Sequence, residues 1–220
     1  MHAEFWRVRW SQGQIGFHQR AVETLLKTHW NDLRVGNEAR VFVPLCGKSL
    51  DMIWLRDLGA HVVGVELSDI AVQAFCAENG LPTRRRVLED FDVYEASRLE
   101  LLCGDYFRLT PRLLGGVAAV YDRAALISFA AELRAPYVQH MIGITGARAP
   151  ILLITLEYPQ TEMQGPPFSV DSDEIDRLYS RFFVIHELAR RDVLASEHRM
   201  RAKGVSRLSE VCYRLLPRLT

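Results

Sequence analysis

From Ala39 onward the chain alternates between short runs rich in β-branched residues and longer segments whose apolar residues recur at helical spacing. This alternation is typical of a parallel sheet whose strands are joined by crossover helices. The sequence therefore predicts an α/β fold built on a doubly wound, Rossmann-like sheet.

The first two strand-helix units are the clearest. A strand is predicted at 40–45, followed by a helix that Gly59 ends. A second strand at 61–66 leads to Ser68, a natural helix cap, and then to a helix that ends near Gly80. These two units place the loop after the first strand beside the carboxyl end of the second strand.

Five more strands are predicted further along the chain. The polar segment from Arg84 to Arg98 shows no readable pattern, whereas two of the later runs are apolar on both faces, as central strands are. After a short helix capped by Ser172, the last two strands are expected to form an antiparallel hairpin at the sheet edge. The five strands are predicted at 99–103, 117–122, 151–156, 182–188 and 211–216.

The domain organisation follows from this pattern. We expect about seven strands, mostly parallel, in a single domain that spans 1–220, because the chain has no internal repeat, low-complexity tract or linker. The segment 1–30 is rich in Trp and His, and we interpret it as a helical lid on the same domain.

The charge balance and the cysteines narrow the class of partner. Twenty-seven basic residues balance twenty-seven acidic ones, so we expect a small-molecule partner rather than nucleic acid or a membrane. The N-terminus lacks the apolar core of a signal peptide, and no apolar run approaches the roughly 20 residues of a membrane helix. We expect a cytoplasmic monomer that binds no metal and keeps its four scattered cysteines reduced, with Cys46 the first candidate if one of them has a catalytic role.

Two features indicate a nucleoside site. In doubly wound sheets, ligands bind beyond the carboxyl ends of the strands, where an acid after the second strand can hold a ribose. Here the loop 44–49 follows the first strand, and Glu66 closes the second, nineteen residues after Gly47. An exposed acid with no ligand is the alternative interpretation of Glu66.

The same loop argues against phosphate ligands. A phosphate-binding loop would need a glycine at position 42, where the chain has Phe42, and a dinucleotide loop would need three glycines where only Gly47 is present. S-adenosylmethionine has a ribose and an adenine but no phosphate. The loop and Glu66 therefore favour this methyl donor.

Several motifs resemble those of the thiopurine S-methyltransferase family, in particular its bacterial members. The block 44–48, Pro-Leu-Cys-Gly-Lys, followed by 62–66, Val-Val-Gly-Val-Glu, is the most specific of them. The resemblance spans nearly the whole chain. The segments that carry it are 4–10, 16–19, 41–49, 62–68, 121–126 and 165–168.

The resemblance implies a class I methyltransferase sheet, S-adenosylmethionine as the donor, and aromatic or heterocyclic thiols such as 6-mercaptopurine as acceptors. It also implies methylation of selenium or tellurium compounds and tellurite resistance. Carried onto this chain, the family's acceptor-facing residues are Phe17, Arg123 and Arg199. The Asp105-Tyr106 pair differs from the residues of vertebrate members, and the sequence around Arg199 also departs from the family pattern. The cofactor-binding residues implied are Trp10, Leu45, Glu66, Asp105, Tyr106 and Arg123.

These residues suit those roles chemically, although each has a simpler interpretation. The aromatic face of Trp10 would attract a sulfonium cation, or it would only pack the lid. Arg123 would pair with the donor's carboxylate or orient an anionic acceptor, or it would be an ordinary surface residue. His18 has the chemistry of a base, but a single histidine is more often structural, and we assign it no catalytic role.

Two other functions remain open from the sequence. One is a nicotinamide-dependent oxidoreductase on a similar sheet, which the missing glycines disfavour. The other is a ligand-binding protein without catalytic activity, which the combination of lid, loop and Arg123 disfavours.

Overall fold

The computed structural model describes residues 3–218, and its centre is one nine-stranded sheet. Five parallel strands form the middle of the sheet, and two antiparallel strands flank them on each side. In chain order, the strands are β1 (Arg40–Val43), β2 (His61–Glu66), β3 (Arg84–Leu88), β4 (Phe91–Ala96), β5 (Leu99–Cys103), β6 (Ala119–Arg123), β7 (Ile151–Glu157), β8 (Phe183–Asp192) and β9 (Ser209–Pro217). Their order across the sheet is β3-β4-β5-β2-β1-β6-β7-β9-β8.

Helices cover both faces of the sheet. The helices are α1 (Ala3–Ser11), α2 (Thr24–His29), α3 (Asp51–Asp57), α4 (Asp69–Glu78), α5 (Pro111–Leu114), α6 (Ala131–Thr145), α7 (Ser172–Tyr179) and α8 (His198–Ala202). Residues of α6 and α7 pack in one large apolar cluster, and residues of α2, α3 and α4 pack in a second. The predicted doubly wound α/β fold is confirmed.

The two clusters meet through the alternation of the central strands. In β1, Phe42 faces the first cluster, while Val41 and Val43 face the second. Because successive side chains of a strand point to opposite faces, a strand buried on both sides must be apolar at nearly every position. This is why the central strands were readable in the sequence.

The strand count is where the prediction was wrong. The segment without a readable pattern forms β3 and β4, an antiparallel hairpin that raises the count from about seven to nine. Its strands are joined by ion pairs between Arg85 and Asp92 and between Arg86 and Glu95. Polar side chains are usual on an edge strand such as β3, and β4 offers only the short alternation of Phe91 and Val93, so the apolar pattern that marks a strand in sequence is weak here.

The other differences are small. The first strand ends at Val43 instead of position 45, because Leu45 adopts a left-handed conformation with φ 47° that leaves the sheet. The helix predicted to be capped by Ser172 is capped by Asp171, whose carboxylate accepts a hydrogen bond from the backbone N–H of Glu174 at 2.8 Å. Ser68 caps α4 as predicted, and β8 and β9 form the expected antiparallel edge hairpin.

The N-terminal segment contains the two helices α1 and α2, and the residues 12–23 between them are not helical. Of the proposed lid at 1–30, residues 1 and 2 lie outside the described part of the chain. Helix α1 contacts α4, and α2 contacts β7 and packs its Leu25 and Leu26 into the second cluster. No helix among residues 3–218 is both long and apolar enough to cross a membrane.

A buried carboxylate fastens the end of β6 to α6. Asp122 is fully buried, and its Oδ2 accepts a hydrogen bond of 2.7 Å from the hydroxyl of Tyr137. Its Oδ1 accepts one of 3.3 Å from the backbone N–H of Leu126, which holds the loop after β6. Burial raises the pKa of Asp122 to about 6, although the bond from Tyr137 lowers it.

We predict that Tyr137→Phe destabilises the protein by about 1–3 kcal/mol at pH 8, because it leaves a buried carboxylate oxygen without its donor. The loss should shrink toward pH 5, where Asp122 is protonated and the bond from Tyr137 no longer stabilises a charge. Urea unfolding at the two pH values measures both effects.

Tyr179→Phe is the matched control. The hydroxyl of Tyr179 is equally buried, but it has no hydrogen-bond partner among the described residues. Its removal should cost little at either pH. Equal losses for both variants would show that packing, and not the bond to Asp122, holds this corner.

Candidate active site

Glu66 lies at the carboxyl end of β2 and organises the loop beside it. Its Oε2 accepts a hydrogen bond of 2.9 Å from the backbone N–H of Gly47, and its Oε1 accepts one of 2.8 Å from that of Ser68. Only 7% of the residue is exposed, so the alternative of an exposed surface acid is wrong. Burial raises the pKa of Glu66 to about 7, although backbone hydrogen bonds, the one from Ser68 foremost, lower it.

The loop 44–49 folds tightly over the end of β2. Leu45 and Gly47 have φ values of 47° and 52°, a left-handed region that is unusual for leucine and costs energy there. The N–H of Cys46 donates to the carbonyl oxygen of Val65 at 2.9 Å. A β-carbon at Gly64 would lie 2.7 Å from the Sγ of Cys46, so the close approach requires glycine at that position.

Cys46 is a packing residue in this arrangement. It is buried, and burial raises the pKa of its thiol well above the ordinary value, so the thiol stays protonated. All four cysteines are free, as predicted. Among residues 3–218, no group of His, Cys, Asp and Glu side chains is arranged to hold a metal ion.

Aromatic side chains of the N-terminal segment cover this loop. Trp10 is 6% exposed, and its ring lies 3.4 Å from the position that a β-carbon on Gly47 would occupy. The ring of Phe17 packs edge-on against Trp10 at 5.5 Å and against Trp6 at 5.4 Å. Phe17 itself is 40% exposed. The structure thus brings Trp10 and Phe17 together above the loop that holds Leu45.

Arg123, the last residue of β6, is held by two buried carboxylates. Its Nε lies 3.4 Å from Oε2 of Glu23, and its Nη1 lies 3.4 Å from Oδ2 of Asp51. Its side chain is only 15% exposed, so the surface interpretation of Arg123 is wrong. Ala124, which follows it, has a φ of 65°, a second strained backbone position at the carboxyl edge of the sheet.

Asp51 and Glu23 belong to a buried ionic network that the sequence did not reveal. Oδ1 of Asp51 accepts a bond of 2.8 Å from the N–H of Glu23, and its Oδ2 accepts one of 2.9 Å from the hydroxyl of Tyr121. Arg191 then bridges Glu23 and Glu210. Because these residues come from four distant parts of the chain, only the position of Asp51 just after the loop was a possible signal.

The residues after β5 are placed differently from one another. Asp105 is exposed, and its carboxylate accepts a hydrogen bond of 2.9 Å from the N–H of Phe107. Tyr106 is buried, and its hydroxyl donates to the carbonyl oxygen of Tyr137 at 3.1 Å. The side chain of Tyr106 is therefore engaged in the core. The end of β5 is tied to β2 by a bond of 2.9 Å from the N–H of Gly104 to the carbonyl oxygen of Glu66.

Arg199 and His18 lie near the aromatic cover. Arg199 is on α8, and its guanidinium rests against Gly16, the neighbour of Phe17. His18 is half-buried, and burial, followed by the charge of Lys48, lowers the pKa of its ring. At neutral pH the imidazole is therefore mainly uncharged.

Known proteins resemble the chain over its full length. A sequence model of the thiopurine S-methyltransferase family matches residues 1–218. The chain is 47% identical to a thiopurine S-methyltransferase of Nitrosospira multiformis over 99% of both chains. It is also 47% identical to one of Methylococcus capsulatus, over 97% of this chain and 96% of that one.

The chain belongs to the thiopurine S-methyltransferase family. Its members are S-adenosylmethionine-dependent methyltransferases. Membership therefore excludes the two alternatives that the sequence left open, the oxidoreductase and the non-enzymatic protein. The predicted resemblance, enzyme class and cofactor are confirmed.

Solved structures agree with this family in their fold. A 1,6-didemethyltoxoflavin N1-methyltransferase of Burkholderia thailandensis, solved with S-adenosylhomocysteine, has a TM-score of 0.63 at 12% identity and covers 97% of this chain and 87% of its own. An S-adenosylmethionine-dependent methyltransferase of Anabaena variabilis has a TM-score of 0.64 at 14% identity, over 98% of this chain and 95% of its own.

The site of this thiopurine S-methyltransferase family member fits a phosphate-free donor. The Gly47 N–H, which a phosphate loop would direct at its ligand, is bonded to Glu66 instead. Each oxygen of Glu66 has a lone pair beyond the bond that it already accepts, so the carboxylate can take further hydroxyl donors. The residues present thus suit a nucleoside with a free ribose.

We predict that the affinity for S-adenosylhomocysteine falls about tenfold from pH 8 to pH 6. The pKa of Glu66 in the free protein is about 7, so below that pH a ligand that needs the carboxylate must first displace a proton. Calorimetry at several pH values measures the affinity and the proton released.

Glu66→Gln provides the control, since it cannot titrate. Its affinity should be low and independent of pH over the same range. A Glu66→Gln variant that keeps the full pH dependence would assign the effect to another group, with His18 the first candidate because its pKa is also shifted.

Proposed function

We propose that this protein transfers the methyl group of S-adenosylmethionine to the sulfur of aromatic or heterocyclic thiols, such as thiopurines. The observation that carries the proposal is the buried Glu66 carboxylate at the end of β2, beneath a loop that Trp10 covers. The names of the relatives at 47% identity support the acceptor class.

In this proposal, the donor lies across the carboxyl ends of the parallel strands. Glu66 accepts hydrogen bonds from the ribose hydroxyls, which both of its oxygens have the capacity to do. Leu45 and the backbone at Asp105 and Tyr106 flank the nucleoside, because they lie at the ends of β1 and β5, the strands next to β2. Arg123 faces the donor's carboxylate from the end of β6.

The acceptor would enter beneath the N-terminal segment. We propose that residues 1–30 form a lid on a single domain of 1–220, with Phe17 contacting the ring of the acceptor and Arg199 its negative charge. Phe17 is partly exposed beside Trp10, and the guanidinium of Arg199 lies against Gly16, the residue before Phe17. A lid that excludes water aligns the two reacting sulfur atoms and strengthens the electrostatic interactions between them.

The donor supplies a methyl group made electrophilic by its sulfonium charge. As the new sulfur–carbon bond forms, the old one breaks, and the negative thiolate and positive sulfonium neutralise each other. The thiol proton leaves to solvent before transfer, because heterocyclic thiols ionise readily. This chain therefore has to bind, align and exclude water, and it needs no nucleophile of its own.

We predict that the purified protein transfers labelled methyl from S-adenosylmethionine to 6-mercaptopurine, and that Glu66→Gln loses most of this activity at limiting donor. A selenol and tellurite, assayed beside the thiol, test the wider acceptor range that the family resemblance implies. Transfer to amine or hydroxyl acceptors alone, with none to any thiol, would contradict the proposed acceptor class.

We also predict that Trp10→Leu weakens S-adenosylmethionine binding more than S-adenosylhomocysteine binding. Only the first ligand carries the sulfonium charge, and its contact with an aromatic face is worth about 2 kcal/mol when desolvated. Trp10→Phe keeps an aromatic face and should preserve most of the preference. Calorimetry with both ligands measures it, and an equal loss for both would reduce Trp10 to a packing residue.

A further inference from the structure

Arg123 and Arg199, the two arginines that we assign to the proposed site, differ in their electrostatic surroundings. Arg123 is neutralised by Glu23 and Asp51, both of which are buried. No carboxylate oxygen of residues 3–218, by contrast, lies within 4.0 Å of the Arg199 guanidinium. Of these two arginines, Arg199 therefore has no carboxylate partner of its own, so its charge is available to an anionic acceptor.

The guanidinium of Arg199 occupies the space where a side chain at position 16 would be. A β-carbon built on Gly16 would lie 0.9 Å from Nη1 of Arg199 and 2.1 Å from its Cζ. The φ of Gly16 is outside the left-handed region, unlike the φ of 64° at Gly13. The backbone conformation therefore does not require glycine at position 16, whereas the position of Arg199 does.

The helix that carries Arg199 is anchored independently of this contact. Its neighbour on α8, Met200, is buried in a third apolar cluster. That cluster also contains Tyr158, Met163, Val205 and Leu208. Because α8 is held by this packing, the Arg199 side chain can change its position without moving the helix.

The position beside Gly16 also places Arg199 next to the aromatic cover. Gly16 directly precedes Phe17, whose ring packs edge-on against Trp10 at 5.5 Å. The absence of a side chain at position 16 thus leaves room for the Arg199 guanidinium near Phe17, whose ring we propose to contact the acceptor.

We propose that Gly16 is a specificity-determining position, which seats the Arg199 guanidinium beside Phe17 and thereby selects acceptors that carry a negative charge. This inference rests on the proposed function for the identity of the acceptor site. It adds that the absence of a side chain at position 16 sets the acceptor preference.

A methyl group at position 16 would displace the guanidinium without disturbing the fold. For Gly16→Ala, Nη1 of Arg199 would have to retreat by roughly 3 Å to reach an ordinary contact distance. Since the atoms in the way are the far end of a flexible side chain, the retreat costs little stability. Gly16→Ala therefore changes the location of one charge and leaves that charge in the protein.

The test measures binding of methylated acceptors, so it is independent of turnover. 2-(Methylthio)benzoate and 4-(methylthio)benzoate carry a carboxylate, whereas methyl phenyl sulfide has the same ring without it, and none of the three ionises at sulfur. Calorimetry is done on the full chain saturated with S-adenosylhomocysteine. The variants are Gly16→Ala, Arg199→Ala, the double variant, and Gly36→Ala as the matched control, because a β-carbon at Gly36 meets no atom within 4 Å.

We expect Gly16→Ala and Arg199→Ala each to weaken binding of at least one carboxylate about tenfold, the scale of one charged hydrogen bond. Binding of methyl phenyl sulfide, the affinity for S-adenosylhomocysteine and the melting temperature should stay at the wild-type values, and Gly36→Ala should behave as wild type. In the double variant the two losses should not add, because both act on one contact.

Three results would overturn the inference. They are carboxylate binding by Gly16→Ala at the wild-type level, an equal loss for charged and uncharged ligands, and a further loss when Gly16→Ala is added to Arg199→Ala. Failure of the proposed function would appear separately, as the absence of methyl transfer to thiols by the wild-type protein, because none of these binding measurements requires transfer.

Discussion

The carboxylate of Glu66 joins the fold to the site. It receives one N–H from the loop after β1 and one from the start of the next helix, so a single side chain closes the ends of two neighbouring strand-helix units. The left-handed backbone at Leu45 and Gly47 brings the loop within reach of it. A buried carboxylate is costly unless it is hydrogen-bonded, and its partly lifted pKa shows that this cost is only partly offset. A nucleoside that supplies two further donors would stabilise the charged form.

A second set of buried charges holds the opposite side of the site. Arg123 ends β6, and its partners Glu23 and Asp51 come from the N-terminal segment and from the first residue of α3. Arg191 extends the same network to the C-terminal hairpin. Removing any one partner would leave a charge buried without compensation, so the network keeps the N-terminal segment, the loop 44–49 and the sheet edge in one arrangement. Arg123 therefore has two fixed carboxylate partners, whereas Arg199 has none among residues 3–218.

The sequence allowed the central part of the molecule to be predicted. The strand 61–66 and the strand 99–103 were located without error, because strands buried on both faces must be apolar and are interrupted by recognisable turns. The hairpin of β3 and β4 was missed for the opposite reason, since β3 is an edge strand of mainly charged residues and β4 shows only a short apolar alternation at Phe91 and Val93. Among the site residues, Glu66 was recognisable from its distance to Gly47, whereas Glu23 and Glu210 carried no local signal.

The sequence by itself determined the class of fold, the identity of the donor and the family, because each of these depends on short local patterns: alternating runs, a loop of given composition, and an acid at a fixed distance from it. The tertiary structure alone decided which charges are neutralised and which are free. Arg123 and Arg199 are alike as residues, yet one lies between two buried acids and the other in the space left by Gly16. Electrostatic roles depend on neighbours that are far apart in the chain, so they follow only from the folded arrangement.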